Sequence, residues 1–288
     1  MGKVLVAGAR GKFGAAAVQA FRAAGWEVSI YRRGTDMSAA AQGCAAIVNA
    51  LNPPKYHDWA RLIPAITAQV QAAAQSSGAT VIMPGNVYVY GQEPGPWNAD
   101  TPHRPTSRKG AIRAAMEARY KASGLPVIML RGGDFLDETS ADSFLNMVTL
   151  KGLGKGKLQI AGQPEVPRAY AYLPDMARVA VALTERRAHL PRFADIPYAG
   201  LTFSMADLKA EIERQTGRDL RYTQLPWAML RLAAPFWELA RELLEMRYLY
   251  DLPHSLDARP LASLLPDHRD TPFGEVVAAH LKAQAALG

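Results

Sequence analysis

The sequence has 288 residues, with 33 Lys+Arg against 26 Asp+Glu and a formal net charge of +7. Hydrophobic residues at 49% and charged ones at 20% exclude a disordered chain and fit one large domain, or a main domain with a smaller lobe. The single cysteine, Cys44, excludes a disulfide within the chain and a zinc site of paired thiolates, and points to a reducing, cytoplasmic compartment.

The run from Met1 to Gly8 has one basic residue and a short apolar stretch, so no secretory signal is expected there. No uncharged apolar stretch approaches the about 18 residues of a membrane span. The nearest, 225–237, contains Arg231 and two prolines, so no membrane partner is expected. Lys/Arg runs stop at two residues, which disfavours a nucleic-acid surface and leaves an anionic small ligand open.

A strand is predicted over 3–7, where Lys-Val-Leu-Val-Ala forms a short buried run. Gly8-x-x-Gly11-x-x-Gly14 follows, then a good helix former over 15–24 closed by Gly25. Strands are predicted at 27–31, followed by Arg32 and Arg33, and at 45–51, stopped by Pro53-Pro54. A helix over 58–77, a strand at 80–83, a helix over 107–123 and a strand at 126–130 continue the alternation. This pattern predicts a doubly wound parallel sheet. Beyond about residue 134 the alternation fails. Short strands at 158–160 and 168–173 lead to helices over 174–187, 205–216, 226–250 (interrupted at Pro235) and 274–287.

The glycine loop falls between the first strand and the first helix, where a dinucleotide pyrophosphate would rest. One glycine permits the tight turn, a second the approach of backbone to phosphate, and a third close packing of helix on strand. The amides around Lys12, Phe13 and Gly14 would face the phosphate charge. An acidic residue at the end of the second strand would bind the ribose 2′-OH of NAD. Here that place holds Arg32, then Arg33, with Arg10 inside the loop. Guanidinium groups grip a 2′-phosphate where a carboxylate repels it. NADP(H) is therefore expected, with NAD(H) as the alternative. The chain divides into a nucleotide-binding domain, 1–155, and a smaller, mainly helical substrate lobe, 156–288, partly interleaved with it.

Three later segments resemble the NAD(P)-dependent epimerase/dehydratase branch of the extended and atypical short-chain dehydrogenases/reductases. Asn86-Val-Tyr88-Val-Tyr90-Gly91 is similar to the family's Ser-x-x-Val-Tyr-Gly. Leu130-Arg131-Gly132-Gly133-Asp134-Phe135 is similar to its Arg-Pro-x-x segment beside the nicotinamide. Arg168-Ala-Tyr-Ala-Tyr-Leu-Pro-Asp175-Met-Ala-Arg178 resembles its Asp-Val-Ala-Arg-Ala helix start. The resemblance covers most of the chain and implies a Rossmann-type fold. It also implies cofactor contacts at Asn49, Ala50, Leu51, Pro84, Gly85, Arg131 and Gly132. Substrate contacts are implied at Asn86, Tyr56, His57 and Asp134.

Two departures matter. Too few residues separate the second strand from Ala45 for the family's usual helix and third strand, so that sheet edge is expected to be shortened. The acid that contacts adenine there is expected to be missing. The second departure is catalytic, since no Tyr-x-x-x-Lys pair occurs. Alignment puts Lys109 at the tyrosine position, Arg113 at the lysine position and Asn86 at the serine position. Residues 109 and 113 still share a helix face. Lys109 or a nearby phenol such as Tyr88 would donate the proton, Arg113 would hold the ribose and Asn86 would orient the carbonyl. A cationic Lys109 beside oxidised nicotinamide disfavours alcohol oxidation.

The leading expectation is an NADP(H)-binding epimerase/dehydratase-like oxidoreductase acting on a nucleotide sugar or other carbonyl compound, with an altered triad. The alternative is a non-catalytic dinucleotide sensor. No histidine pair has ligand spacing, so no metal is expected. The segment 226–250 is expected to pack on its own core, with a homodimer face or a membrane patch as alternatives.

Overall fold

The computed structural model describes residues 2–140 and 143–287. In chain order the first half comprises β1 (Lys3–Ala7), α1 (Lys12–Ala23), β2 (Glu27–Ile30), α2 (Met37–Ala40), β3 (Ala46–Asn49), α3 (Trp59–Ser77), β4 (Thr80–Gly85), α4 (Arg108–Ala122) and β5 (Val127–Arg131). Next come β6 (Asp134–Leu136), β7 (Lys157–Ile160), β8 (Arg168–Tyr172), α5 (Leu173–Glu185), β9 (Phe193–Pro197) and β10 (Leu201–Phe203). The chain continues through α6 (Met205–Thr216), β11 (Arg221–Gln224), α7 (Trp227–Ala233), α8 (Glu238–Glu245), α9 (Tyr248–Asp251), α10 (Arg259–Leu264) and α11 (Phe273–Leu287).

Six parallel strands form the main sheet in the order β2-β1-β3-β4-β5-β9. Alternation along each strand serves both faces. Val4 and Val6 of β1 pack with Phe13, Ala17 and Phe21 of α1 and with Met176, Val179 and Leu183 of α5. Leu5 and Ala7 pack on the other face with Trp59, Ile63 and Val70 of α3 and Met116 and Tyr120 of α4. The order reverses between β1 and β3, which opens a crevice at the carboxyl ends of the strands. The sheet stops at β2, since the 31–45 connection holds only the single turn α2.

The central β/α elements agree with the sequence reading; the differences lie elsewhere. Helix α1 begins at Lys12, with Gly11 as its N-cap, so Gly14 lies inside the helix rather than before it. The sixth strand, β9, was hidden by Asp195 and Pro197 in Phe-Ala-Asp-Ile-Pro. Both β9 and its covering helix α5 come from beyond residue 155, yet belong to the main sheet. The predicted helix over 226–250 is three helices, broken after Ala233 and again at Met246. Outside the main sheet, β10-β8-β6 and the pair β11-β7 build a smaller unit with α6 and α11.

Candidate active site

Because the strands are parallel, Gly8, Arg32, Ala50, Asn86 and Gly132 all follow strand ends on one edge of the sheet. Gly8 has φ +88°, a left-handed backbone, and a Cβ there would lie 2.6 Å from the Ala50 carbonyl oxygen. A Cβ on Gly14 would lie 2.1 Å from the Gly8 oxygen, so only glycine lets α1 approach the loop. The Gly11 amide donates to Gly8 O at 2.8 Å and closes the turn. The amides of Phe13 and Gly14 bond to no described acceptor, and no acid lies in the first turn of α1. That end of α1 can receive a phosphate. The Phe13 ring is buried in the core, so only its backbone faces the loop.

Arg10, Arg32 and Arg33 are exposed, and none of these guanidinium groups bonds to a described residue. The one carboxylate between Tyr31 and α2, Asp36, turns away to cap α2 through the Ser38 amide at 2.8 Å. At the end of β3 the buried Asn49 side chain is spent on structure: it donates to Tyr120 Oη (3.3 Å) and accepts from the Leu51 amide (3.3 Å). Ala50 O forms the wall against Gly8, and the Leu51 side chain packs on the α3 side of the core.

Four of the family-implied residues have structural duties instead. Arg131 is fully buried, and its five N–H groups go to Asp195 (3.2 and 2.6 Å), Glu117 (3.1 and 2.7 Å) and Asn86 O (2.7 Å). Burial opposes its charge, but Glu117 and Asp195 outweigh that and push its pKa further up. No N–H remains for a cofactor. Gly132 and Gly85 are close-packing positions, where a Cβ would meet Ala171 at 2.9 Å and Met129 at 2.9 Å. Pro84 continues the β4 pairing with β5. His103, Glu117 and Asp195 have ligand-like spacing, but the Arg131 cation already holds both carboxylates.

The corner that holds Lys109 departs most from expectation. Lys109 is 1% exposed. Its ammonium is held by the Glu242 carboxylate, by Glu245 (2.7 Å) and by the Glu242 backbone oxygen (3.1 Å). All three N–H groups are engaged, so Lys109 has none for a substrate carbonyl. Glu242 also binds Arg108 at 2.6 Å. Burial works against the Glu242 charge, yet Lys109 and Arg108 hold its pKa below the usual carboxylate value. Sequence reasoning missed this clamp; the Glu242-x-x-Glu245 spacing on an amphipathic segment was its only trace.

Next to the clamp, Lys109 Nζ lies 5.0 Å from the centre of the Tyr56 ring. Tyr56 Oη is 3.5 Å from Tyr88 Oη. Burial pushes both phenols up, Tyr88 well up. Tyr56 has φ 64° and Asp58 φ 46°, so the turn presenting this phenol is strained, a condition that collects at functional sites. Asn86 Oδ1 accepts from the Tyr88 amide at 3.1 Å, and its Nδ2 has no partner among the described residues. Arg113 donates to Asn52 Oδ1 (2.8 Å) and lies 4.6 Å over the Trp59 ring, while its buried Nε is unpartnered. Burial lowers its pKa. The glycine cradle, the open amides and this orphaned Nε fit a bound dinucleotide.

On the substrate side Asp134 pairs with the buried Arg168 at 3.0 Å. Arg168 lies between the rings of Tyr170 (5.2 Å) and Tyr250 (4.9 Å). It also donates to Tyr170 Oη at 2.6 Å, which leaves three of its N–H groups unengaged among the described residues. His57 is exposed and bonds Glu238 at 3.1 Å. It is a wall residue rather than part of the phenol pair.

No protein-family model and no curated protein matches the sequence. Solved structures do match. MoeE5 in complex with UDP-glucose and NAD has a TM-score of 0.78 at 18% identity, covering 100% of both chains. The UDP-glucuronic acid 4-epimerase of Bacillus cereus, in complex with UDP-glucuronic acid and NAD, has a TM-score of 0.77 at 16% identity, covering 99% of this chain and 100% of that one. A nucleoside-diphosphate-sugar epimerase from Pseudomonas aeruginosa has a TM-score of 0.73 at 17% identity, covering 100% and 98%. The chain thus has, from end to end, the Rossmann-like α/β fold of nucleotide-sugar epimerases, the group its motifs resemble.

Proposed function

We propose that this protein is an NAD(P)-dependent enzyme of the epimerase/dehydratase kind that binds NADP(H) in preference and acts at a carbonyl or sugar carbon. The observation that carries the reading is the cradle at Gly8, Gly11 and Gly14, where any Cβ at Gly8 or Gly14 would strike backbone. Its full-length likeness to nucleotide-sugar epimerases supports a nucleotide sugar as the substrate class.

When bound, the dinucleotide supplies the hydride chemistry; the rest falls to side chains. The Phe13 and Gly14 amides bind the pyrophosphate, and Arg10, Arg32 and Arg33 bind a 2′-phosphate. Arg113 holds the nicotinamide ribose through its unpartnered Nε. Asn86 Nδ2 donates to the substrate oxygen, and Arg168 offers its unengaged N–H groups to an anionic part of the substrate. Tyr88, hydrogen-bonded to Tyr56, gives the proton. With both pKa values raised, the phenols are protonated at neutral pH and suit donation to a reduced carbonyl better than removal of a proton.

The test is turnover of NADPH and NADH with a panel of UDP-sugars and simple carbonyl compounds, with products followed by NMR. Tyr88→Phe is expected to lower kcat by about 100-fold or more while leaving NADPH binding unchanged. Full activity in Tyr88→Phe would remove Tyr88 from the mechanism. The sensor alternative is favoured by one observation, the commitment of Lys109 to Glu242 and Glu245. NADPH binding without turnover on any substrate would decide for it.

A further inference from the structure

Six large apolar side chains are markedly exposed among the described residues, and four of them lie within nine positions: Met229 (68%), Leu232 (79%), Phe236 (95%) and Trp237 (49%). Helix α7 is extended past Ala233 by bonds from the Phe236 and Trp237 amides to Ala233 O. Met229, Leu232 and Phe236 therefore follow one another at helical spacing on one face. The opposite face anchors the segment: Trp227, Leu230 and Ala240 are buried together, and Trp227 Nε1 donates to Ala161 O at 2.8 Å. A segment that already buries one apolar face still presents a second one outward.

Charge tells what covers it. Each glutamate of α8 is occupied by a cation or imidazole of the protein body: Glu238 by His57, Glu242 by Arg108 and Lys109, Glu245 by Lys109. Of the arginines of the same stretch, Arg231 faces outward. Arg231 is exposed between Met229 and Leu232 and pairs with no carboxylate among the described residues, while Arg241, half-exposed one turn into α8, lies 3.6 Å from Glu242 Oε1. The outward surface thus combines Leu, Phe, Met and Trp with the unpaired Arg231 cation and, at its edge, three cations (Arg108, Lys109 and Arg241) around Glu242 and Glu245, on a chain whose net charge is +7. The four side chains expose roughly 600 Å², taking about 200 Å² for a whole large side chain. That is short of the about 800 Å² per partner of a stable protein interface. It suits shallow insertion among lipid headgroups, where aromatic and aliphatic side chains enter and arginines meet anionic lipid.

We propose that the stretch from Met229 to Trp237 docks the protein peripherally on an anionic membrane surface. No helix is long and apolar enough to cross a membrane, so the contact is with one leaflet. The inference does not depend on the proposed enzymatic activity.

The experiment is flotation of the full chain with vesicles of phosphatidylcholine alone or phosphatidylcholine with phosphatidylglycerol, alongside light scattering without lipid. Wild type is expected to float with the anionic vesicles and at least about tenfold less with the neutral ones. The double variant Leu232→Ser/Phe236→Ser, with both positions exposed, is expected to keep its thermal unfolding and lose flotation by about tenfold or more. Arg231→Glu is expected to weaken it less. No flotation of wild type, equal flotation with both vesicle types, or undiminished flotation of the double variant would each overturn the proposal. A lipid-free dimer that the double variant dissociates, with no flotation, would assign the patch to a second copy instead.

Discussion

The glycine loop and the Lys109 corner occupy the same edge of the sheet but are assembled over different distances in sequence. At the loop, every decisive contact joins near neighbours in the chain or strands adjacent in the sheet: Gly11 to Gly8, Gly14 against Gly8, and Gly8 against Ala50. At the corner, the ammonium of Lys109 is fixed by residues 133 and 136 positions away. Gly8 and Gly14 have no tolerance for added atoms. At the corner, a later helix brings the carboxylates that neutralise the Lys109 cation. The lesson is that a steric requirement is met by residues close at hand, whereas an electrostatic one can be met from elsewhere in the chain.

The largest effect is expected where the contrast is steric. Gly14→Ala should weaken dinucleotide binding by about 100-fold or more, near 3 kcal/mol, measured by calorimetric titration. Retained affinity would mean that the loop is not the pyrophosphate site. At the corner, Lys109→Met leaves Glu242 buried with only the two largely exposed arginines, Arg108 and the more distant Arg241, as its cations. It should cost about 3 kcal/mol of stability in denaturant unfolding, with part recovered in Lys109→Met/Glu242→Gln. A neutral Lys109→Met would show that the clamp is not formed.

A smaller effect is expected at the rim of the loop. Arg32→Asp should weaken NADPH binding by about tenfold and NADH binding much less; equal losses would remove the 2′-phosphate role. The smallest effect concerns pH. The folded pKa of Glu242 lies below its ordinary value of 4.5, so its contribution is complete above that value and is lost as pH falls through the folded one. The stability difference between wild type and Glu242→Gln should accordingly shrink on acidification. A difference independent of pH would contradict the ion pair.

The same contrast explains what could be read from the sequence. The glycine spacing, the β/α alternation and the arginines after β2 are local signals, and they placed the sheet, the crevice and the cradle. Lys109, Arg113 and Asn86 were located by alignment, but their surroundings were not. Nothing near residue 109 announces Glu242 and Glu245, and nothing near Arg131 announces Glu117 and Asp195, which arrive from α4 and β9. Short strands such as β6 and β10, three residues each, hold too little pattern to be seen. The outward apolar face of α7 was legible only as an alternative to core packing, because an apolar stripe in sequence reads as core until the packing shows which stripe the core has used.

The most direct test of the account is a calorimetric titration of the wild-type protein with NADPH and with NADH. Saturable binding of one dinucleotide per chain, tighter for NADPH, is expected. Failure to bind either nucleotide would contradict it.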